Sequence, residues 1–386
     1  MGDSPEQQGR VQVWDRPTRL FHWLLVASIL AEWLTQDDSR YLDFHVFAGY
    51  TIGVLILLRI VWGFVGTRWA RFGSFTYGPF FALRYLLDTF LRRQRHYVGH
   101  NPAGSYAIWA LLGLGLLTVV TGIATLGGQK HHGPLASLTF QQGDVLHQIH
   151  EISAWAMLAV IAVHILGVIL SSYADRENLA LGMVTGRKLA PPDVVSVPRA
   201  RGIGVALLVV LVAAAAGYFR GYATSTPEQP YAPFKGPTLA MDANWTKQCG
   251  DCHLAYHPSL LPLRSWKALL AQQDKHFGED LSLEEDAVDA LLKFASANSA
   301  DHHATAAAWK IDQSIPAGEA PLRITETPYW KHRHEDVSAA DFERVKKIEC
   351  AGCHADAEQG TFEPGSIHIG RNADSNTSAT KTGRKK

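Results

Sequence analysis

Cys249-Gly250-Asp251-Cys252-His253 and Cys350-Ala351-Gly352-Cys353-His354 repeat one arrangement of reactive side chains. In C-x-x-C-H two thiols can add to the vinyl groups of a haem while the adjacent histidine fills one axial position of its iron. The two motifs use all four cysteines of the 386-residue chain, so none is left for a disulfide scaffold. Two cysteines with two histidines could also hold zinc tetrahedrally, and paired cysteines could form a redox dithiol. The histidine that directly follows each second cysteine favours covalent c-type haem at both places, with His253 and His354 as ligands. Each iron then needs a sixth ligand. The candidates are His257, His276, His302, His303, His332, His334 and His368.

A second set of histidines lies in apolar sequence. Five stretches approximate the roughly 20 residues that a spanning helix requires: 19–35, 43–66, 103–127, 146–170 and 202–219. The first is short and polar at its ends. The fifth, almost featureless Ala, Val and Leu, reads as a plain anchor. Lys and Arg crowd the N-terminus (Arg10, Arg16, Arg19), the loop after the second stretch and the loop after the fourth (Arg176, Arg187, Lys188, Arg199, Arg201). By the positive-inside rule the N-terminus is cytoplasmic, and five crossings put everything after Phe219 outside. The first apolar run carries a histidine and lacks a small-residue cleavage site, so it is expected to stay in place.

Ionisable groups within a span are costly and mark function. Here they are His22, His45, His147, His150 and His164. His150 and His164 are 14 residues apart, which on a helix returns to within about 40° of one face at about 21 Å separation. Two ligands on one face near opposite membrane surfaces suit two stacked haems. Depth then pairs His45 with His150 and His22 with His164, across a four-helix bundle. His147 is an alternative ligand to His150. Arg59, 14 residues after His45, shares that face at the depth of the inner haem. It either neutralises a propionate there or snorkels to the surface. Gly49 and Gly53 leave room for a porphyrin or, more often, for close helix packing.

The expected architecture is all-α. Residues 1–190 form a membrane cytochrome b domain, 191–240 a fifth helix and linker, and 241–370 a small dihaem domain, with a disordered basic tail at 371–386. Charge follows this division: net +5 over 1–227, −9 over 228–370 and +4 over the tail. In the dihaem domain Ser282-Leu283-Glu284-Glu285 reads as a capping box, followed by an apolar stripe of Ala287, Val288, Leu291, Leu292 and Phe294. Ser338-Ala339-Ala340-Asp341 opens another helix, carrying Phe342, Val345 and Ile348.

Residues 11–190 resemble the bacterial b561-type cytochromes, the family of the b-type subunit of nickel–iron hydrogenases. The matching residues are Val13-Trp14-Asp15, His22-Trp23, His45-Val46-Phe47-Ala48-Gly49-Tyr50, Arg59-Ile60-Val61-Trp62-Gly63, Gly99-His100-Asn101-Pro102, His150-Glu151, His164 and Met183-Val184-Thr185-Gly186-Arg187-Lys188. The resemblance implies two b haems on His22, His45, His150 and His164. Residues 245–370 are similar to the small dihaem cytochromes c of the DHC type, through Cys249–His253, Leu260-Leu261-Pro262, His276-Phe277-Gly278, Ile324-Thr325-Glu326-Thr327-Pro328, His334 and Cys350–His354. That likeness implies bis-histidine c haems with His276 and His334 as distal ligands. Which serves which haem stays open, and His257 stands where the family would have Pro.

Bis-histidine iron has no open coordination site, which favours electron transfer over oxygen chemistry. The expected cofactors are two non-covalent b haems and two covalent c haems, with quinol as substrate. The expected setting is a bacterial plasma membrane with the c domain periplasmic. Quinol would reduce the b haems, and the acidic c domain would pass electrons to a soluble periplasmic cytochrome or haem protein, steered by charge. No nucleic-acid partner is expected. A subunit of a larger dehydrogenase is the second reading. A haem-based ligand sensor is the third, which carbon monoxide binding would reveal.

Overall fold

The computed structural model describes residues 9–36, 39–91, 93, 95–226, 234, 236–345 and 349–367, with the side chains of Arg40 and Phe90 excepted. His368, Ile348 and the tail 371–386 lie outside the described residues. The chain divides into two compact units, Met1–Pro233 and Phe234–Lys386. Both are helical; the described strands form one two-stranded sheet.

The first unit runs β1 (Gly9–Gln12), α1 (Arg16–Thr35), α2 (Leu42–Val65), α3 (Pro79–Phe90), α4 (Pro102–Lys130), α5 (Phe140–Ala174), α6 (Leu179–Thr185), β2 (Arg187–Ala190), α7 (Arg201–Tyr218) and a single turn, α8 (Arg220–Ala223). Local chemistry sets the helix starts. Asp15 accepts from the Thr18 amide ahead of Pro17, and Asn101 accepts from Gly104 ahead of the rest of α4. Thr139 and Gln142 close a reciprocal capping box on α5. Asp15 is wholly buried and also accepts from Trp62 Nε1 (3.1 Å) and Thr67 Oγ1 (2.6 Å). It thereby ties the start of α1 to the end of α2, and the two helices run antiparallel.

Among the described residues four helices are long and apolar enough to cross a membrane: α2, α4, α5 and α7. The other expected span, 19–35, lies within α1. Helix α1 has the length, at 20 residues. Arg16, Arg19, His22 and Glu32 dilute its apolar character below that of the others. Helix α7 is more than a plain anchor. Its end brings Phe219 onto Phe44 and Phe47 of α2 (ring centroids 4.9 Å for both), and Tyr222 donates to Asp43.

Apolar side chains fill the bundle between α2, α4 and the loop after α2, where Ile52, Ile56, Phe72, Phe75 and Leu112 pack. Gly128 and Gly143 let α4 and α5 touch backbone to backbone. A methyl group on Gly128 would lie 2.4 Å from the Gly143 Cα. The Gly49 and Gly53 pair is also a packing device, since added methyl groups would meet Glu32 of α1 and Val119 of α4.

The second unit contains α9 (Ala243–Gly250), α10 (Leu263–Ala271), α11 (Glu285–Asn298), α12 (Ala306–Ser314), α13 (Pro328–Arg333) and α14 (Ala339–Val345). Its core is Trp245, Leu261, Trp266, Leu270, Leu291 and Ala295, with Val288, Leu292 and Phe294 packed on it. The apolar stripe of α11 thus lies where its spacing put it. The capping box at Ser282 does not form. Gln273 clamps both backbone groups of Leu283, Ser282 adopts a left-handed conformation, and α11 starts only at Glu285 with no side-chain cap. Ser338 does accept from the Asp341 amide at the start of α14.

Candidate haem sites

Histidine rings meet in pairs in both units. His45 of α2 faces His150 of α5 with ring centroids 6.3 Å apart. His253 faces His276 at 6.2 Å, and His334 faces His354 at 6.1 Å. A metal–imidazole bond is about 2.0–2.1 Å, and the ligating nitrogen is about 1.1 Å from its ring centroid, so two imidazoles trans on one ion lie about 6.3 Å apart. All three separations fit an iron between the rings.

In four of these six rings the unused nitrogen is held. His45 Nδ1 lies 2.6 Å from a carboxylate oxygen of Glu32 on α1. His150 Nδ1 lies 2.8 Å from the Thr118 carbonyl, His253 Nδ1 2.7 Å from the Leu254 carbonyl, and His334 Nδ1 2.8 Å from the Trp330 carbonyl. Each bond fixes the tautomer that leaves Nε2 for a metal, the usual outer partnership of a ligating histidine. Gly122 gives the His150 ring its place, since a methyl group there would sit 2.9 Å from Cε1. His147, three residues earlier, points to the exposed side of α5.

His22 and His164 also approach one another, within range of each other's charge. Three buried polar atoms without a protein partner collect around them: His22 Nδ1, Arg59 Nη1 and His100 Nδ1. Arg59 is only 4% exposed and lies under Phe72 and Phe75 (5.1 and 5.9 Å to the ring centroids). It has not snorkelled out. His100 is wedged between Trp14 and Phe75, with ring centroids 4.6 and 4.5 Å away. Burial first, then the charge of Arg59, push its pKa down to about 3, so it is neutral at pH 7. Orphaned donors are costly in a dry interior. A haem carboxylate at this end would satisfy Arg59 and His100.

In the second unit aromatic rings wall both cysteine motifs. Tyr256 stacks on His253 (5.1 Å), and Trp330 stacks on His334 (4.2 Å). Phe362 packs against His354. Tyr256 also donates its hydroxyl to Cys350, so one side chain touches both motifs. Burial pushes the Cys249 and Cys350 thiols up to about 11. A reactive dithiol needs the opposite shift. Among the described residues no three His, Cys, Asp or Glu side chains converge as a zinc site would require.

The remaining histidines are otherwise engaged. His257 is buried, with Nδ1 2.9 Å from Ser259 Oγ and Nε2 2.9 Å from the Ala240 carbonyl, so both ring nitrogens hold loops together. His302 and His303 bond the Ser296 carbonyl and Asp312, and exposed His332 pairs with Glu335. His257→Ala is expected to leave haem content unchanged while costing ~2–4 kcal/mol of stability, from two lost buried hydrogen bonds and a cavity. Thermal unfolding checks this. Glu32, Thr118, His100 and Tyr256 were not legible as site residues from spacing. The one available signal was a carboxylate, Glu32, inside an apolar stretch.

Residues 13–186 match the prokaryotic cytochrome b561 family and residues 245–362 the dihaem cytochrome c family. A probable Ni/Fe-hydrogenase B-type cytochrome subunit from Rhizobium leguminosarum bv. viciae is 27% identical over 223 residues, which cover 49% of this chain and 92% of that protein. A probable Ni/Fe-hydrogenase 1 B-type cytochrome subunit from Escherichia coli K12 is 22% identical over 45% of this chain and 88% of its own length. The diheme cytochrome c from Rhodobacter sphaeroides is 37% identical, covers 33% of this chain and 100% of its own, and superposes with a TM-score of 0.30. With its apolar helices, the molecule is a membrane electron-transfer haem protein. Its N-terminal half matches the prokaryotic cytochrome b561 family and its C-terminal part the dihaem cytochrome c family.

Proposed function

We propose that this chain oxidises quinol in a bacterial plasma membrane and delivers electrons to a soluble periplasmic cytochrome or haem protein. The observation that carries the reading is the facing of imidazoles in pairs, 6.1–6.3 Å apart in three of them. Paired axial ligands leave iron nothing else to bind, which suits electron transfer and no other haem chemistry. Haem, when bound, supplies a one-electron couple; the protein supplies burial, ligands and order.

In this reading His45 with His150 and His22 with His164 hold two b haems. Arg59 and His100 neutralise and hydrogen-bond the carboxylates of the second. Cys249, Cys252, His253 and His276 hold one c haem; Cys350, Cys353, His354 and His334 hold the other. Helix α1 crosses the membrane beside α2, the N-terminus is cytoplasmic and the second unit is periplasmic. Tyr256 keeps the two c sites close enough to exchange electrons. The acidic stretch 228–370, net −9, steers a basic partner.

His276→Ala is expected to retain covalent haem, because Cys249, Cys252 and His253 remain, but to open one site to carbon monoxide. A carbon monoxide difference spectrum reads this directly. The proposal as a whole is tested by anaerobic stopped-flow mixing of oxidised protein with a ubiquinol or menaquinol analogue. Reduction of b before c absorbance supports it. Failure of quinol to reduce either, with dithionite reducing both, would instead favour a second reading, a subunit that works with a dehydrogenase. The hydrogenase subunits among the relatives give that reading its support.

A further inference from the structure

Five arginines surround one cavity of about 370 Å³ at an end of the first unit: Arg10 of β1, Arg16 and Arg19 of α1, Arg187 of β2 and Arg199 ahead of α7, with Thr185 completing the wall. They come from four separate segments, brought together by the β1–β2 pairing, in which Gln12 stands opposite Arg187, and by the Arg16 amide bonding the Arg199 carbonyl (3.1 Å). Among the described residues no carboxylate lines the cavity. Among the described residues none of the five makes an ion pair. Arg19 alone is spent within the fold, on the carbonyls of Met183 and Val184. Like charges held this close repel unless an anion joins them. Guanidinium forks match the oxygens of phosphate.

The level of the cavity selects the source of that phosphate. Helix α7 crosses the membrane and begins at Arg201, two residues past Arg199. Helix α1 begins beside it, where Gly204 of α7 contacts Arg16. The arginines therefore lie at the water-facing boundary of two neighbouring helices, where lipid phosphates are. We propose that this cavity binds the phosphate of an anionic phospholipid headgroup. It does not depend on which haems the protein holds.

The test is native mass spectrometry of the full chain in mild detergent, after incubation with phosphatidylglycerol or phosphatidylcholine. The wild type is expected to retain phosphatidylglycerol preferentially. R187Q/R199Q is expected to bind it about 30-fold more weakly, near fivefold for each charge removed, and R187K/R199K to recover most of the loss. Should the double variant fail to fold, R10Q alone, on the exposed strand, is expected to show the fivefold step. Equal retention by wild type and neutralised variants, or no preference between the two lipids, would overturn the proposal. Displacement of phosphatidylglycerol by millimolar inorganic phosphate at constant ionic strength would reassign the cavity to a soluble phosphate and overturn the lipid assignment.

Discussion

His164→Ala is expected to lose half of the non-covalent haem and none of the covalent haem. In the proposed pairing the substitution removes one of two axial ligands; exposed His147 lies beside the other site's His150, and His100 is wedged between Trp14 and Phe75. Loss of a partner outside the ligand sphere already costs roughly 10–100-fold in metal affinity, and loss of a ligand costs more. The emptied site would also strand Arg59 Nη1 and His100 Nδ1, which have no protein partner. Alkaline pyridine spectra count b and c haem separately. Unchanged b content in His164→Ala would sink the pairing of His164 with His22. His147→Ala is the control, and both b haems should survive it.

The second unit and the order of its motifs were plain in the sequence, because C-x-x-C-H is a local signature that needs no partner to be recognised. The intramembrane pairs were also accessible, because 14 residues on a helix fix both face and depth. Two features were not. The assignment of His276 to His253 and of His334 to His354 depends on how the loops between helices turn, and hydrophobic periodicity carries no record of that. The start of α11 was misplaced for a related reason. Gln273, ten residues before Leu283, closes the intervening chain into a loop, and a local capping pattern loses to that clamp. His257 shows the converse. Its type fits a ligand, but both of its nitrogens are committed to Ser259 and Ala240.

Glu32→Gln is expected to raise the midpoint potential of one b haem, the one at His45 and His150, by the order of 60 mV, and to leave the other b haem unmoved. A carboxylate on the far nitrogen of an axial histidine makes that ring a stronger donor and favours ferric iron. Removing one charge-assisted hydrogen bond is worth about 1.4 kcal/mol, near 59 mV for a one-electron couple. Glutamine can still accept from Nδ1, so ring orientation and haem content should hold. Glu32→Ala gives up the bond as well, and should loosen the haem roughly 10–100-fold besides shifting its potential. Redox titration followed in the b band separates the two centres. If Glu32→Gln leaves both b potentials in place, Glu32 is only a packing neighbour of α2. Gly49→Ala probes the same contact from the other side. A methyl group there would stand 2.9 Å from Glu32 Oε1, which forces the carboxylate away from its 2.6 Å contact with His45. Its shift should therefore follow that of Glu32→Gln in sign and in the haem affected, although no charge has been removed.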